Sequence, residues 1–339
     1  MIISIFASIW AQNLGDELIL KNEIKMLEDE YWKDTQFIVF SYDCDNPFLK
    51  RKNIIYKEYF PIWIKKLSNI FRNIRNFFGF LSVVKKSDLI VIWWWWIIYD
   101  WEKQTAREPL DQWLFRTNIF KFYKKPVLFF AVWLNIRNKF NFSKIKKIFT
   151  WAEVTVRNTY SFDLLKNIWI ASTIVEDPVF SEVLPYNQKS MMIKKVKSPN
   201  FTYEDLEWID LEWKKIALAF RSNYLSEDDN IEEEKINKII DYILEKWWEV
   251  ILLPHSFHKT DIIANDYAFM EKFLRINDKV RIIASMEDVY SKYIYKEFDI
   301  CIAMRLHSII LSQVYGIPFI WVSYSIKTDE VLDSISEQK

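Results

Sequence analysis

Glycine is nearly absent from this sequence. Among 339 residues there are three, Gly15, Gly79 and Gly316. An ordinary chain of this length carries roughly 24, at a usage of about 7%. Cysteine is scarce as well. Cys44 and Cys301 lie far apart without metal-ligand spacing, which excludes a disulfide scaffold and points to a reduced, cytoplasmic setting. Net charge is missing: Lys plus Arg and Asp plus Glu stand at 46 each, so no global basic field exists to hold nucleic acid. No apolar run reaches the ~20 residues that span a bilayer. The opening MIISIFAS lacks a basic start and runs into NLGDE, so it predicts a first strand rather than a signal peptide.

What is abundant is tryptophan. There are 17, and Gly plus Trp together come close to a normal glycine allotment. The positions tell the same story. Trp10 follows the strand-like IISIFAS, where a loop needs permissive backbone. Trp32, Trp169 and Trp247-Trp248 follow helix-like runs, where a C-terminal cap favours glycine. Trp133 ends PVLFFAV, Trp321 lies in PFIWVSYS, and Trp208 and Trp213 lie in LEWIDLEWKK. An indole at positive φ costs ~1–2 kcal/mol from backbone sterics alone. All but Trp63 and Trp113 read better as glycine. Some bacterial lineages read the codon UGA as glycine, and a UGA-containing gene translated with another table would yield this chain. The competing reading is a Trp-rich protein with a hydrophobic binding surface.

With tryptophan read as glycine, short apolar runs alternate with amphipathic helical segments. Strands are expected at IISIFAS, QFIVFSY, DLIVI, PVLFFAV, EVTVR and STIVE, then at KIALAF, EVILLP, VRIIA, FDICIA and PFIWVS. The alternation predicts an α/β fold of two Rossmann-like domains with parallel sheets. The domains are expected at 1–184 and 215–339. A polar link over 185–214 contains Pro185 and Pro199. Ligands of such sheets bind beyond the carboxyl ends of strands, so the active site is expected on those loops, between the domains.

Four segments could carry chemistry. DLIVIWWWWIIYD, read with glycine at Trp93, Trp94, Trp95 and Trp96, is a strand and a turn open to a phosphate or sugar. It matches neither P-loop nor dinucleotide spacing. SIWAQNLGDELIL places Asn13, Gly15 and Asp16 at a helix start, where a simple cap is the plainer reading. VTVRNTYSFDLLKNIWI, with DPVF after it, and RLHSIILSQVYGIPFIWVSYSIK complete the set. In this order, from Asn13 to Lys327, the segments resemble the polysaccharide pyruvyl transferase family. The resemblance also implies glycine at most of the tryptophan positions.

That resemblance implies a GT-B-like arrangement and transfer of pyruvate from phosphoenolpyruvate to two hydroxyls of a sugar, forming a ketal and releasing phosphate. It implies no cofactor beyond the donor. A donor carrying phosphate and carboxylate needs fixed cations, and protonation at its C3 needs a general acid. The matching positions are Arg157, Arg305, His307 and Lys327, with Asp16 as the carboxylate. Lys327 lies in SYSIK, where Ser325 and Ile326 depart from the family pattern SYDPK. Arg221 and His255, each at a strand end, are further substrate-binding candidates. His255 and His258 form an H-x-x-H without a third ligand cluster, and Asp43-Cys44-Asp45 reads as a solvated turn, so no metal is expected. The chain stops soon after Lys327, where family members continue with a closing helix, which implies a truncated end.

Residues 50–75 carry eight Lys or Arg and one Glu among interleaved aromatics. They suit contact with anionic lipid by an enzyme with a lipid-linked acceptor. A basic solvated face with the aromatics turned inward is the plainer reading. Two rival functions remain: a nucleotide-sugar glycosyltransferase on the same fold, and a carbohydrate-binding protein using genuine tryptophan platforms.

Overall fold

A computed structural model describes residues 1–9, 12–31, 34–41, 44, 48–60, 67–93, 98–100, 109–136, 138–182, 191–207, 209, 215–222, 225, 228–258, 264–275, 278–291, 294–324 and 329. Lys327, Trp94, Trp95, Trp96, Lys65, Lys66, Asp43 and Asp45 lie outside these. The chain divides into two compact units. One comprises 1–11 and 19–178, the other 12–18 and 179–339. The loop and first turn that open the first helix therefore count with the second unit.

The first unit begins with β1 (Ile2–Ile9), α1 (Leu14–Tyr31), β2 (Gln36–Ser41) and β3 (Ile54–Glu58). There follow α2 (Leu67–Lys86), β4 (Leu89–Ile92), β5 (Ile98–Tyr99), α3 (Pro109–Phe122), β6 (Val127–Val132) and β7 (Leu134–Asn135). It closes with α4 (Phe142–Phe149), β8 (Glu153–Val156), α5 (Thr159–Asn167) and β9 (Thr173–Ile174). Seven strands form one sheet in the order β3-β2-β1-β4-β6-β8-β9, all pairs parallel. Strands β4 and β1 are buried on both faces, as parallel sheets covered by helices require; Ile90, Val91 and Ile92 are fully buried.

The second unit holds β10 (Met192–Lys197), β11 (Lys215–Ala219), α6 (Asp229–Glu245), β12 (Glu249–Leu252) and α7 (Asp266–Met270). It continues with β13 (Val280–Ile282), α8 (Met286–Tyr290), β14 (Ile300–Ala303), α9 (Leu306–Tyr315) and β15 (Phe319–Ser323). Its six-stranded sheet runs β10-β15-β14-β11-β12-β13, again parallel throughout. Residues 192–197, inside the stretch expected as a link, pair with β15 at the sheet edge. The expected fold class, α/β with two Rossmann-like parallel sheets, is what the chain adopts.

Three helices end in the same way. After α9, Gly316 is left-handed at φ 73°. Its N–H donates to Gln313 O at 3.2 Å, and Ile317 N–H donates to Ser312 O at 2.8 Å. This is the Schellman pattern, whose left-handed residue is normally glycine. After α5, Trp169 takes φ 62° with bonds to Lys166 O at 3.0 Å and, from Ile170, to Leu165 O at 2.9 Å. After α6, Trp247 takes φ 64° with bonds to Leu244 O at 2.9 Å and, from Trp248, to Ile243 O at 3.4 Å. The residue following each, Ile317, Ile170 or Trp248, is buried. The Trp169 and Trp247 side chains stand 87% and 82% exposed, and Lys279 Nζ lies 4.5 Å from the Trp247 ring centroid, an exposed contact worth ~0.5–1 kcal/mol against the backbone cost.

Candidate active site

Two motifs far apart in sequence meet in the second unit. The loop before α1 runs beside the loop after β12. Leu14 N–H donates to His255 O at 2.9 Å, and Phe257 N–H to Gln12 O at 2.8 Å. Asn13 and Ser256 form an antiparallel bridge. Asn13 Oδ1 accepts from Gly15 N–H at 3.2 Å, which shapes the turn into the helix. Gly15 then lies against the imidazole of His307. A Cβ at Gly15 would sit 2.0 Å from His307 Nδ1. Close approach, not a left-handed φ, requires glycine here. Asp16 is buried in the first turn of α1, next to Glu17, where the helix N-terminus favours negative charge.

His307 is the second residue of α9 and is 6% exposed. Arg305 precedes the helix in extended backbone, φ −73° and ψ 131°. The buried strand β14 delivers both to the carboxyl edge of the sheet. The Arg305 guanidinium grips Asp266 with two prongs: Nε donates to Oδ2 at 2.8 Å and Nη2 donates to Oδ1. Asp266 Oδ2 also accepts the His255 backbone N–H at 3.2 Å. Asp266 is 1% exposed and opens α7 behind Asn265, whose side chain accepts from Ala268 N–H at 3.0 Å. Bidentate pairs of this kind fix the plane of a guanidinium. Sequence reasoning missed Asp266. Its only local signal, Asn-Asp at a helix start, is also that of an ordinary cap.

His255 is buried beneath this pair. Its Nδ1 faces Leu253 O at 3.1 Å, and its Nε2 faces Tyr295 Oη at 2.9 Å. A carbonyl only accepts, so Nδ1 carries the proton and Tyr295 donates to Nε2. Burial, with lesser contributions from the Arg305 and His307 charges, lowers the His255 pKa to about 3 against a raising bond to Leu253. The ring is neutral at physiological pH. With both nitrogens engaged inside the unit, it braces the loop that carries Asn13 and Gly15.

The remaining candidates are distributed. Arg221 follows β11, with its guanidinium 6.0 Å from the Tyr324 ring centroid. Arg157, in the first unit, follows β8 and its Nη1 donates to Asp177 Oδ2 at 2.5 Å. Those two side chains are 2% and 1% exposed, a buried pair on which removal of either partner would strand a charge. Trp93 ends β4 at 1% exposure, its backbone N–H bonded to Phe6 O at 3.2 Å. Glu23 of α1 is buried beside it. Burial pushes the Glu23 carboxyl well above the usual range, and the neighbouring indole opposes this more weakly. The Trp93 Nε1 makes no hydrogen bond of normal geometry, although a buried indole N–H ordinarily has a partner.

The family model for polysaccharide pyruvyl transferase matches residues 13–326. No curated protein sequence matches the chain. Among solved structures, a putative UDP-N-acetylglucosamine 2-epimerase from Listeria monocytogenes is similar over 98% of this chain and 81% of its own, at 12% identity and a TM-score of 0.52. The UDP-GlcNAc 2-epimerase from Methanocaldococcus jannaschii covers 99% and 92% at 12% identity, with a TM-score of 0.49. A glycosyltransferase from Rickettsia africae ESF-5 covers 96% and 80% at 13% identity, with a TM-score of 0.47. At 12% identity the likeness to the Listeria protein concerns the fold alone. The family match is of another kind: it spans nearly the whole chain and includes both motif loops that meet at His307. The chain belongs to the polysaccharide pyruvyl transferase family and is a transferase enzyme.

Proposed function

We propose that this enzyme moves pyruvate from phosphoenolpyruvate onto a sugar of a cell-surface polysaccharide or its lipid-linked precursor, on the cytoplasmic side. The observation that carries this reading is the seating of His307 on Gly15 next to the Asp266-held Arg305. It joins the two family motifs into one preorganised group of acid and cation. Arg305 and Lys327 hold the donor's phosphate and carboxylate. Protonated His307 gives its proton to C3, and the resulting oxocarbenium-like C2 accepts the first sugar hydroxyl. Asp16 takes that hydroxyl's proton. The C2–O bond to phosphate then breaks, phosphate leaves with the bonding pair, and the second hydroxyl closes the ketal, its proton passing to the released phosphate. Asn13, Arg221 and His255 shape and brace the surroundings.

We infer further that residues 93–96, 169, 247 and most other tryptophans stand for glycine, through UGA codons read as tryptophan. The left-handed Trp169 and Trp247 support this. Glycine at 93–96 would let backbone N–H groups approach a substrate without a Cβ in the way.

The test is donor choice by calorimetry on protein with glycine at the fifteen suspect positions. Phosphoenolpyruvate should bind, and Arg305→Ala should weaken it at least about tenfold, the loss of one charge-assisted contact. Binding of a nucleotide sugar in preference to phosphoenolpyruvate would favour the glycosyltransferase rival. A saccharide bound only by the tryptophan-containing chain, with no donor bound by either, would favour the carbohydrate-binding rival.

A further inference from the structure

Four of the sixteen exposed large apolar side chains among the described residues lie together on one helix. On α2, Phe71 is 71% exposed, Phe78 65%, Ile74 51% and Ile70 38%. The spacing 71, 74, 78 keeps these on one face. The opposite face, Asn73, Phe80, Val83 and Val84, is buried. Arg75 stands on the outer face with its side chain 77% exposed, and Lys85 and Lys86 close the last turn. The helix carries no carboxylate. Across residues 50–87 there are ten Lys or Arg and a single acid, Glu58, in a chain whose totals balance. Glu58 itself is engaged by Arg72 and lies 3.8 Å from Arg75.

We propose that α2 docks the enzyme in the plane of an anionic lipid bilayer. Phe71, Ile74 and Phe78 would enter the acyl boundary while Arg75, Lys85 and Lys86 meet lipid phosphates. Apolar and cationic side chains on one helix face, without carboxylates, are what such an interface selects. A second copy of the chain fits poorly, because a two-fold contact would set the same basic patch against itself. No helix among the described residues is long and apolar enough to cross a membrane, so the contact is peripheral. Within residues 50–75, Tyr59 and Phe60 pack inward as the plainer sequence reading expects, whereas Phe71 stands out into solvent. The proposal does not depend on the reaction or on the tryptophan positions, since α2 contains none of them.

The experiment is flotation of the full chain with vesicles of phosphatidylglycerol and phosphatidylcholine, against phosphatidylcholine alone. Binding should require the anionic lipid and weaken with salt. The triple variant Phe71→Ser, Ile74→Ser, Phe78→Ser should lose at least about tenfold in partitioning, and Arg75→Ser with Lys85→Ser and Lys86→Ser should lose a comparable amount. Circular dichroism and melting should be unchanged in both. Phe140→Ser, at a 91% exposed site on another element, should float as the parent does. Equal flotation of the apolar triple variant and the parent would overturn the proposal. So would a concentration-dependent dimer in sedimentation that the triple variant abolishes while no vesicle binding occurs.

Discussion

The ends of α9 and α6 share one backbone geometry and contrast in the residue at its left-handed position. Each closes with a left-handed residue, the same pair of backbone hydrogen bonds and a buried residue next in line. At α9 the left-handed residue is Gly316; at α6 it is Trp247, and at α5 Trp169. The backbone asks for the same thing in all three places, and only one chain position supplies it. A β-carbon at that φ costs ~1–2 kcal/mol, which the single exposed contact of Lys279 with the Trp247 ring offsets only in part. The lesson is that Trp169 and Trp247 divide by environment from the buried tryptophans, which include Trp93, Trp133, Trp248 and Trp321 as well as Trp113. Trp113 lies in a helix, 4% exposed, with the Arg116 guanidinium 4.8 Å from its ring. It is a packing residue. Trp169 and Trp247 occupy glycine geometry.

Substitutions can break or sharpen that contrast. The largest effect is expected at Gly15, where glycine serves close approach to His307. Gly15→Ala should reduce turnover by ~10²–10³, the scale of losing one preorganised catalytic group, as measured by steady-state kinetics on the glycine version. Gly316→Ala should leave turnover nearly intact. Next comes Trp113→Gly, which should destabilise by ~3–5 kcal/mol through the cavity it opens, seen in denaturant melts. If Trp113→Gly were neutral, the division by environment would fail.

The pH dependence sharpens the contrast from the side of the buried cluster. The His255 pKa falls from 6.5 to about 3 on folding, so the unfolded chain binds more protons between those values. Its contribution to stability is therefore full above pH 6.5 and is lost as pH falls toward 3, with a slope of up to about 1.4 kcal/mol per pH unit. His255→Gln should flatten that slope in urea titrations across the window. Smallest is the change at the helix ends. Trp247→Gly and Trp169→Gly should each stabilise by ~1 kcal/mol, and Gly316→Ala should destabilise by a similar amount. Their codons should be UGA, and that of Trp113 UGG.

The fold was largely legible. All eleven apolar runs expected as strands are strands, because parallel strands buried on both faces must be continuous apolar stretches. The misses are edge or fragmentary strands. β10 reads MIKKVK, with no residue fully buried, and β3 reads IIYKE, whose burial alternates although its residue types do not, so neither sequence carries a clear apolar period. At the site, the residue types at 13–16 and 305–307 were legible as ordered motifs. Their contact was not, because nothing local in either segment encodes an approach between positions nearly three hundred residues apart. Asp266 was invisible for the same reason: its role is defined by Arg305, and a helix-cap signal masks it. Tryptophan in place of glycine also removed the turn signals that normally mark loop positions.

The most direct test of pyruvyl transfer is phosphate release from phosphoenolpyruvate by the glycine version of the full-length protein, measured with and without a saccharide acceptor. The proposed mechanism predicts release that requires acceptor, yields a saccharide carrying a pyruvate ketal, and drops by ~10²–10³ in His307→Ala and in Arg305→Ala. Phosphate release indifferent to acceptor and unchanged in both variants would contradict it.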